Sequence, residues 1–457
     1  MPLPPPAASE VPLGPDSDRQ SGSRELRPFV MALFFIFGGI TSLNDVIIPK
    51  LKDLFTLNYT QAMLVQFCFF TAYAVVGIPG AMLVKRLGYM RGAVAGLLTM
   101  MVGCLLFIPA SRIGVYGLFL SALFVLATGV VLVQIVSNPL ISLLGSPRTA
   151  HSRLTFAQAF NSVGTTIFPF VGSILILAPL AAAGGGATQS FWDVTRVVDP
   201  ACRGGAEAVP AAPTAAYRIA ESQTVAHAYL GLAIALAVIA AMVWLFRDRL
   251  KGERHEATSL SASLALLRRP RFAFGALCIF LYVGAEVAIG STLVNYLKSS
   301  HTLCLTGQSA GKQLLFYWGG AMIGRFVGSA VLRTVSPGKV LAGVAAGAIV
   351  LMLISVNSGG ALSADTLLAV GLMNSIMFPT IFALASEGLG ARAADGSGII
   401  NVAIFGGAVI PLVTGGIADA SSLAAALLLP AICYAVIAAF GLYARRPAAP
   451  AIDPAVH

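Results

Sequence analysis

The sequence predicts an all-α membrane protein whose twelve transmembrane helices form two halves of six. Of the 457 residues, 57% are hydrophobic and 11% are charged, whereas roughly 25% are charged in an ordinary soluble domain. So few charges cannot cover the surface of a soluble protein of this length. A membrane-spanning helix uses about 20 apolar residues, so twelve of them fit with room for loops. A basic stretch at 247–271 divides the chain near its middle.

Twelve apolar segments give the predicted helices. Most are rich in Leu, Ala, Gly, Val and Phe and lack the strict alternation of a barrel strand. In lipid, such segments satisfy their backbone groups only as helices. The first six cover approximately 28–50, 60–84, 92–110, 115–145, 153–181 and 223–246, and the second six cover approximately 272–299, 309–332, 338–356, 362–386, 397–418 and 422–444.

The charged residues predict how these segments are divided and oriented. With both termini inside, 20 of the 29 Lys and Arg residues lie on the cytoplasmic side, as the positive-inside bias requires. The net charge of +10 is attributed to this bias, and no nucleic-acid partner is expected because no basic run is interleaved with aromatic residues. The predicted parts are a disordered cytoplasmic tail (1–27), the N-terminal half (28–246), a cytoplasmic linker (247–271), the C-terminal half (272–445) and a second cytoplasmic tail (446–457).

Motif searches argue against enzyme chemistry. The glycine-rich segment 307–313 is one residue too short for a phosphate-binding loop and lacks its final Ser or Thr. His255 is followed by Glu256 but by no second His four residues on, so it does not begin a zinc-binding helix. We therefore expect no enzymatic activity and no cofactor. Cys202 and Cys304 fall in loops placed outside, where they could pair in an oxidising compartment, and the sequence leaves this open.

Two carboxylates inside apolar segments are the strongest functional signal, because each charge there costs about 2.5–3.5 kcal/mol on insertion scales. Asp45 lies toward the outer part of the first segment. We interpret it as a carboxylate that takes up a proton and binds a substrate hydroxyl; the alternative is a rim carboxylate near Lys50 and Lys52. Glu286 lies near the middle of the seventh segment. It is interpreted as a hydroxyl acceptor or ion ligand, and the alternative is a protonated carboxyl that packs helices.

Arg325 is the third ionisable group inside a span. A guanidinium stays charged in proteins, so it cannot cycle a proton. A gate or a structural partner of a carboxylate is expected, with Glu387 as one candidate.

Neutral amides supply further candidate ligands, because each amide both donates and accepts hydrogen bonds. Polar groups also hold membrane helices together, so both roles are open for each of them. Tyr73, Tyr282, Tyr317 and Trp318 could stack on a sugar face. The candidate substrate-binding residues are Asn44, Gln134, Gln158, Asn161, Glu286, Asn295 and Asn374.

Internal repetition supports two related halves. Asn161 precedes Pro169 in the fifth segment as Asn401 precedes Pro411 in the eleventh, and Asn138-Pro139 in the fourth corresponds to Phe378-Pro379 in the tenth. With the similar ends of the second and eighth segments, these matches suggest two parallel halves, the plan of major facilitator transporters. Through nearly all twelve segments the chain resembles the fucose permease family of that superfamily, which includes bacterial glucose/galactose transporters. The residues that carry the resemblance are Asn44-Asp45 before Pro49, Gln134 before Asn138-Pro139, Gln158 with Asn161, Tyr282 to Glu286, Gly324-Arg325-Phe326 and Pro379-Thr380.

This resemblance implies a major facilitator fold and cation-driven uptake of a hexose across a bacterial inner membrane. Two carboxylates of the fucose permease are implicated in proton coupling and binding. Asp45 matches the first, but the second falls at Gln134, which cannot take a proton. Glu286 matches a glutamine of the fucose permease and looks like the glucose/galactose branch. The expected substrate therefore shifts toward glucose and galactose, with Asp45 and Glu286 as ion-coupling residues.

Several points stay open at this level. The coupling cation is a proton or sodium, and Asp45 becomes a metal ligand only in the second case, since hard cations prefer oxygen ligands. Another sugar such as fucose is an alternative substrate. A sugar or drug exporter, a facilitator without ion coupling and a non-transporting membrane sugar sensor are the alternative functions. The expected partners are the sugar and the lipid bilayer, and a monomer is the default.

Overall fold

A computed structural model describes residues 16–143, 150–177, 193–203, 215–245, 265–389 and 393–446. Within these ranges the chain is helical apart from short loops and an isolated β-bridge. Ten helices are long and apolar enough to cross a membrane by length and composition. Two more, Ala150–Leu175 and Gly307–Val331, have 26 and 25 residues and pack among them. The predicted all-α membrane fold is thereby confirmed, and the described helices are consistent with twelve passes.

The N-terminal half contains six long helices. The second begins with a capping box, in which the side chains of Asn58 and Gln61 each accept a hydrogen bond from the other's backbone N–H. The third ends at Gly114, whose φ of 67° is a left-handed conformation that glycine adopts readily. The helices are α1 (Asp16–Phe55), α2 (Tyr59–Leu87), α3 (Tyr89–Ile113), α4 (Tyr116–Leu143), α5 (Ala150–Leu175), the short α6 (Pro200–Arg203) and α7 (Ala215–Leu245).

The C-terminal half differs because its last three passes are each interrupted. In the first of these, the break falls just before Pro379, which has no N–H to donate and whose ring clashes with the carbonyl four residues earlier. After a 3₁₀ turn (Leu266–Arg268), the helices are α8 (Pro270–Lys298), α9 (Gly307–Val331), α10 (Pro337–Asn357), the pair α11 (Gly360–Asn374) and α12 (Met377–Ser386), the pair α13 (Ala393–Ala403) and α14 (Gly406–Ala420), and the pair α15 (Leu423–Ala426) and α16 (Leu428–Tyr443).

The described residues include only parts of the predicted tails and linker. Helix α1 begins at Asp16, and the division of the chain into tails, linker and two halves stays a prediction. Most of the predicted linker 247–271 and nearly all of the tail 446–457 lie outside the described residues.

Glycines let neighbouring helices touch backbone to backbone. A Cβ atom at Gly164 of α5 would lie 2.1 Å from the Phe35 carbonyl oxygen of α1, and one at Gly406 of α14 would lie 1.8 Å from the Phe280 carbonyl oxygen of α8. Small residues at such crossings are typical of membrane helices, which gain van der Waals contact by close approach.

The two halves face each other mainly through α2 against α14, α5 against α9 and α1 against α8. Cys202 of α6 and Cys304, between α8 and α9, form a disulfide. The pairing that the sequence left open is therefore present. We call the end of the bundle that holds this bond the disulfide end, and the opposite end, near the 3₁₀ turn, the linker end.

A segment from the N-terminal half is bound to the C-terminal half at the disulfide end. This segment, residues 193–203, is called the strap. Its Val198 pairs with Leu305 in the antiparallel bridge. The ammonium of the fully buried Lys312 donates to the Asp193 carbonyl at 2.7 Å. The strap, which lies between α5 and α7 in the chain, therefore contacts the N-terminal end of α9 in the other half.

A carboxylate also closes the disulfide end. Asp419, in the last turn of α14, accepts hydrogen bonds from the backbone N–H groups of Tyr59 and Thr60 at 2.7 and 2.8 Å, and from the Thr60 hydroxyl at 2.6 Å. These N–H groups lie in the first turn of α2, where backbone donors have no carbonyl partner within the helix and negative charge is stabilised. Lys298 and Asp53 add an ion pair between the halves at 2.5 Å. The structure is thus closed at the disulfide end.

Replacing the capping carboxylate should weaken this closure. We expect Asp419→Asn to cost about 1–2 kcal/mol, which shifts the closed-to-open ratio roughly 5- to 30-fold toward opening. Spin labels at the exposed Ile113 and Leu362, one in each half, would report longer distances at the disulfide end. Glu387→Gln, which alters a carboxylate paired with Arg271 within the C-terminal half, is a comparison of equal charge change. An unchanged distance distribution in Asp419→Asn would show that this contact does not hold the halves together.

Candidate functional site

Asp45 lies between the two halves, in the part of α1 that is nearer the disulfide end. Its side chain is buried, with 3% of the residue exposed. The Ser291 hydroxyl of α8 donates to its Oδ1 at 3.2 Å, and the Trp318 indole N–H of α9 donates to its Oδ2 at 3.2 Å. A Cβ atom at Gly290 would lie 3.0 Å from Oδ2, so a glycine at this position of α8 permits the approach. The N-terminal carboxylate is therefore held by groups of the C-terminal half.

Gln66 of α2 completes the surroundings of Asp45. Its amide nitrogen donates to the Ser291 hydroxyl at 2.7 Å and lies 3.5 Å from Asp45 Oδ1. Its amide oxygen accepts from the Asn44 side chain at 3.2 Å. Sequence reasoning missed Gln66, although an amide inside an apolar segment is the same signal that singled out Gln134. It also missed Ser291, because a single serine in a membrane helix is common.

Glu286 lies in a second polar cluster within the C-terminal half. The Tyr282 hydroxyl donates to Glu286 Oε1 at 2.8 Å, and the Asn374 amide donates to the Tyr317 hydroxyl at 3.0 Å. The Tyr317 hydroxyl lies 3.4 Å from the Glu286 carbonyl oxygen. Both tyrosines are buried, so their hydroxyls are used in this network, while the sequence suggested only their ring faces. The cluster gives Glu286 a fixed orientation without a cationic hydrogen-bond partner among the described residues.

Arg325 bridges the halves but does not pair with Glu387. Its guanidinium donates to the Ser162 hydroxyl and, at 3.3 Å, to the Gln158 carbonyl, both on α5. Glu387 instead forms an ion pair with Arg271. The suggested Arg325–Glu387 pair is therefore wrong, because Arg271 at the start of α8 lies beside the end of α12. Arg325 therefore connects α9 to α5, and its role as a gate stays a prediction.

The predicted amides of the N-terminal half make local contacts. Gln134 donates to the Tyr73 hydroxyl at 2.9 Å, linking α4 to α2. Asn161 donates to the Phe34 carbonyl at 3.3 Å, linking α5 to α1. Gln158 is half-buried, and its backbone carbonyl is the acceptor for Arg325.

Three predicted amides each leave a buried polar atom without a hydrogen bond among the described residues. These atoms are Asn44 Oδ1, Asn295 Nδ2 and Asn374 Oδ1. Buried polar groups in proteins are nearly always paired, and leaving one unpaired costs free energy. The first two residues lie on α1 and α8, which face each other, and the third lies in the Glu286 cluster. Such atoms are the acceptors and donors that a polyhydroxylated ligand would satisfy.

The residues around Asp45 offer little support for a bound metal ion. Within the described ranges, no group of three or more His, Cys, Asp or Glu residues is positioned to hold a metal ion. Asp45 is approached by the indole N–H of Trp318, which can only donate, so that side of the carboxylate is not open to a cation.

A bundle of two six-helix halves, closed at one end and carrying a buried carboxylate at the interface between them, defines a membrane transporter that works by alternating access.

Comparison with known proteins supports the assignment to membrane transporters. Residues 30–187 match the Major Facilitator Superfamily. The chain is 45% identical over 414 residues to a glucose/galactose transporter of Brucella abortus biovar 1 (strain 9-941), covering 91% of this chain and 92% of that protein. It is 32% identical over 444 residues to an L-fucose-proton symporter of Escherichia coli (strain K12), covering 95% and 96%. The crystal structure of the transporter FucP in its outward conformation superposes with a TM-score of 0.66 and 30% identity, over 93% of this chain and all of that one.

The chain therefore belongs to the fucose permease family of the Major Facilitator Superfamily, and it is a transporter rather than an enzyme.

Proposed function

We propose that the protein takes up a hexose of the glucose/galactose type together with a proton, and that Asp45 carries the proton. The observation that carries the proposal is the position of Asp45: it is buried at the interface of the halves and is contacted by hydrogen-bond donors from both. A buried charge is costly, so a carboxyl at this position is expected to gain and lose a proton as its surroundings change.

The same contacts favour a proton over sodium. A sodium site needs several oxygen ligands that point toward one centre. The Trp318 N–H and the Ser291 O–H both donate to the carboxylate instead. Donors around Asp45 suit an ionised carboxylate that has given up a proton.

The sugar is proposed to bind between the two clusters. Hydroxyl groups need partners that donate and accept, and the unpaired atoms of Asn44, Asn295 and Asn374 supply both kinds. Glu286 adds a carboxyl acceptor, which makes stronger hydrogen bonds when it is ionised. Gln134, Gln158 and Asn161, which are partly exposed on helices of the N-terminal half, are proposed to bind the sugar from that half. The name of the Brucella relative, a glucose/galactose transporter, supports glucose and galactose as substrates.

The disulfide end is proposed to face the periplasm of a bacterium, with both termini in the cytoplasm. The Cys202–Cys304 bond suits an oxidising compartment. The excess of Lys and Arg in the loops at the other end supports the same orientation. In this orientation, the structure is closed to the periplasm. One chain contains both halves of the site, so the protein is proposed to act as a monomer.

Uptake of labelled glucose into proteoliposomes tests the proposal. A proton gradient and a sodium gradient are imposed separately, and galactose and fucose serve as competitors. We expect accumulation under the proton gradient alone, with inhibition by galactose stronger than by fucose. Accumulation under the sodium gradient alone would reject proton coupling. Transport of fucose but not glucose would reject the substrate, and no sugar movement under either gradient would reject symport.

A further inference from the structure

The hydrogen-bond donors around Asp45 come from different halves. Ser291 and Trp318 belong to the C-terminal half, and each donates to one oxygen of the carboxylate. Gln66 belongs to the N-terminal half, as does Asp45 itself. Alternating access moves one half against the other. Opening of the disulfide end would therefore withdraw Ser291 and Trp318 from Asp45 and leave Gln66 on the same half as Asp45.

Hydrogen-bond donors and burial act in opposite directions on a carboxyl. Hydrogen bonds to the ionised form favour ionisation, while burial without them favours the protonated form. In the closed arrangement observed here, Asp45 has both C-terminal donors. In an arrangement opened at the disulfide end it would lack them.

We propose that Ser291 and Trp318 are positioning residues that make Asp45 release its proton when the disulfide end closes. This inference rests on the proposed function, because it gives the proton-coupled cycle its direction. The proton binds to Asp45 while the disulfide end is open, closure brings the two donors to the carboxylate, and the proton leaves on the other side. Ser291 and Trp318 are not proton carriers; they set when Asp45 gives its proton up.

A chain of donors fixes Ser291 in this role. Asn44 donates to Gln66 at 3.2 Å, Gln66 donates to the Ser291 oxygen at 2.7 Å, and Ser291 donates to Asp45 at 3.2 Å. Because the Ser291 oxygen already accepts from Gln66, its own hydrogen is free to point at the carboxylate. The amide of α2 thus orients a hydroxyl of α8 toward an acid of α1 when the halves close.

Other charges near Asp45 do not provide this switch. Glu286 of α8 interacts with it electrostatically and opposes a second negative charge. Lys50, one and a half turns further along α1, forms an ion pair with Glu221 of α7. Tyr317 of α9 is neutral and lies in the Glu286 network. Helices α4 and α5 contribute no charged side chain over 116–137 and 156–177, and α2 contributes none from Tyr59 to Val84. No cation among these groups is placed to hold Asp45 ionised, so Ser291 and Trp318 are the neighbours that favour its ionised form.

The test separates proton release from sugar movement. Right-side-out membrane vesicles hold the cytoplasmic face inside, so the lumen pH can be varied at fixed external pH. Net uptake of labelled glucose requires proton release into the lumen, whereas counterflow with sugar and acid on both sides does not. The variants are Ser291→Ala and Trp318→Phe, with Ser291→Thr to restore the hydroxyl. Thr292→Val is the matched control, since the Thr292 hydroxyl donates to the Ala288 carbonyl of its own helix at 2.7 Å.

We expect Ser291→Ala and Trp318→Phe each to move the lumen pH for half-maximal net uptake upward by about one unit. Counterflow should persist in both, and Ser291→Thr and Thr292→Val should keep the wild-type midpoint. An unchanged midpoint in both variants, or a parallel loss of counterflow and net uptake at every lumen pH, would overturn the inference while leaving proton-driven uptake by the wild type intact. If the wild type itself shows no proton-driven uptake, the proposed function fails, and this inference fails with it.

Discussion

Asp45→Asn is expected to abolish concentrative sugar uptake and to spare sugar exchange. Asparagine has the shape of aspartate and keeps an oxygen that can accept from Ser291 or Trp318, so the closed arrangement should still form. It has no proton to gain or lose, so a proton gradient can no longer drive accumulation of the sugar. Accumulation in proteoliposomes should fall to passive equilibration, while counterflow of labelled glucose continues.

The control for Asp45→Asn is Asp365→Asn, the same chemical change in a carboxylate that pairs with Arg196 of the strap. It should retain accumulation. If Asp45→Asn still concentrates glucose under a proton gradient, the proton is carried elsewhere, and Glu286 is the next carboxyl to examine. If both accumulation and counterflow disappear although the protein is folded, Asp45 is needed for the conformational cycle as a whole rather than for coupling alone.

Glu286→Gln is expected to weaken sugar binding with little effect on coupling. Glu286 is held by the Tyr282 hydroxyl, which donates to its Oε1 at 2.8 Å, and its other oxygen is available to a ligand hydroxyl. A hydrogen bond to a charged group contributes about 1.5–3 kcal/mol, so loss of the charge should raise the KM for counterflow roughly 10- to 150-fold. At saturating sugar, the accumulation driven by a proton gradient should persist.

Glu387→Gln provides the matched comparison, because that carboxylate pairs with Arg271 at the linker end. Its KM should stay at the wild-type value. A Glu286→Gln variant with normal KM would place the sugar away from this cluster. One with normal KM and no accumulation would make Glu286 the coupling residue, as the two-carboxylate expectation from the sequence allowed.

Much of the fold was predictable because lipid restricts what a chain can do. Apolar segments of about 20 residues must be helices in a bilayer, so the spans could be located from composition alone. The interruptions of the last three passes were not predicted, although Pro379 marks one of them. A proline permits a kink or a break, and the choice between them depends on how neighbouring helices pack.

The site was predictable in part for a similar reason. Ionisable groups in a membrane segment are costly, so Asp45, Glu286 and Arg325 stood out in the sequence. Their hydrogen-bond partners did not stand out in the sequence. Gln66 lies on α2 and Ser291 on α8, and neither position in the chain says that the two side chains meet.

By itself, the sequence determined that this protein is a helical membrane transporter of the fucose permease family, and which charged side chains lie within its spans. Only the tertiary structure decided that Asp45 is held by Ser291 and Trp318, that Glu387 pairs with Arg271 rather than Arg325, and that Cys202 pairs with Cys304. The physical reason is the range of the forces. Insertion into lipid depends on the local composition of about 20 residues, whereas a hydrogen bond requires two atoms within roughly 3 Å, and helices far apart in the chain reach that distance only when the two halves pack together.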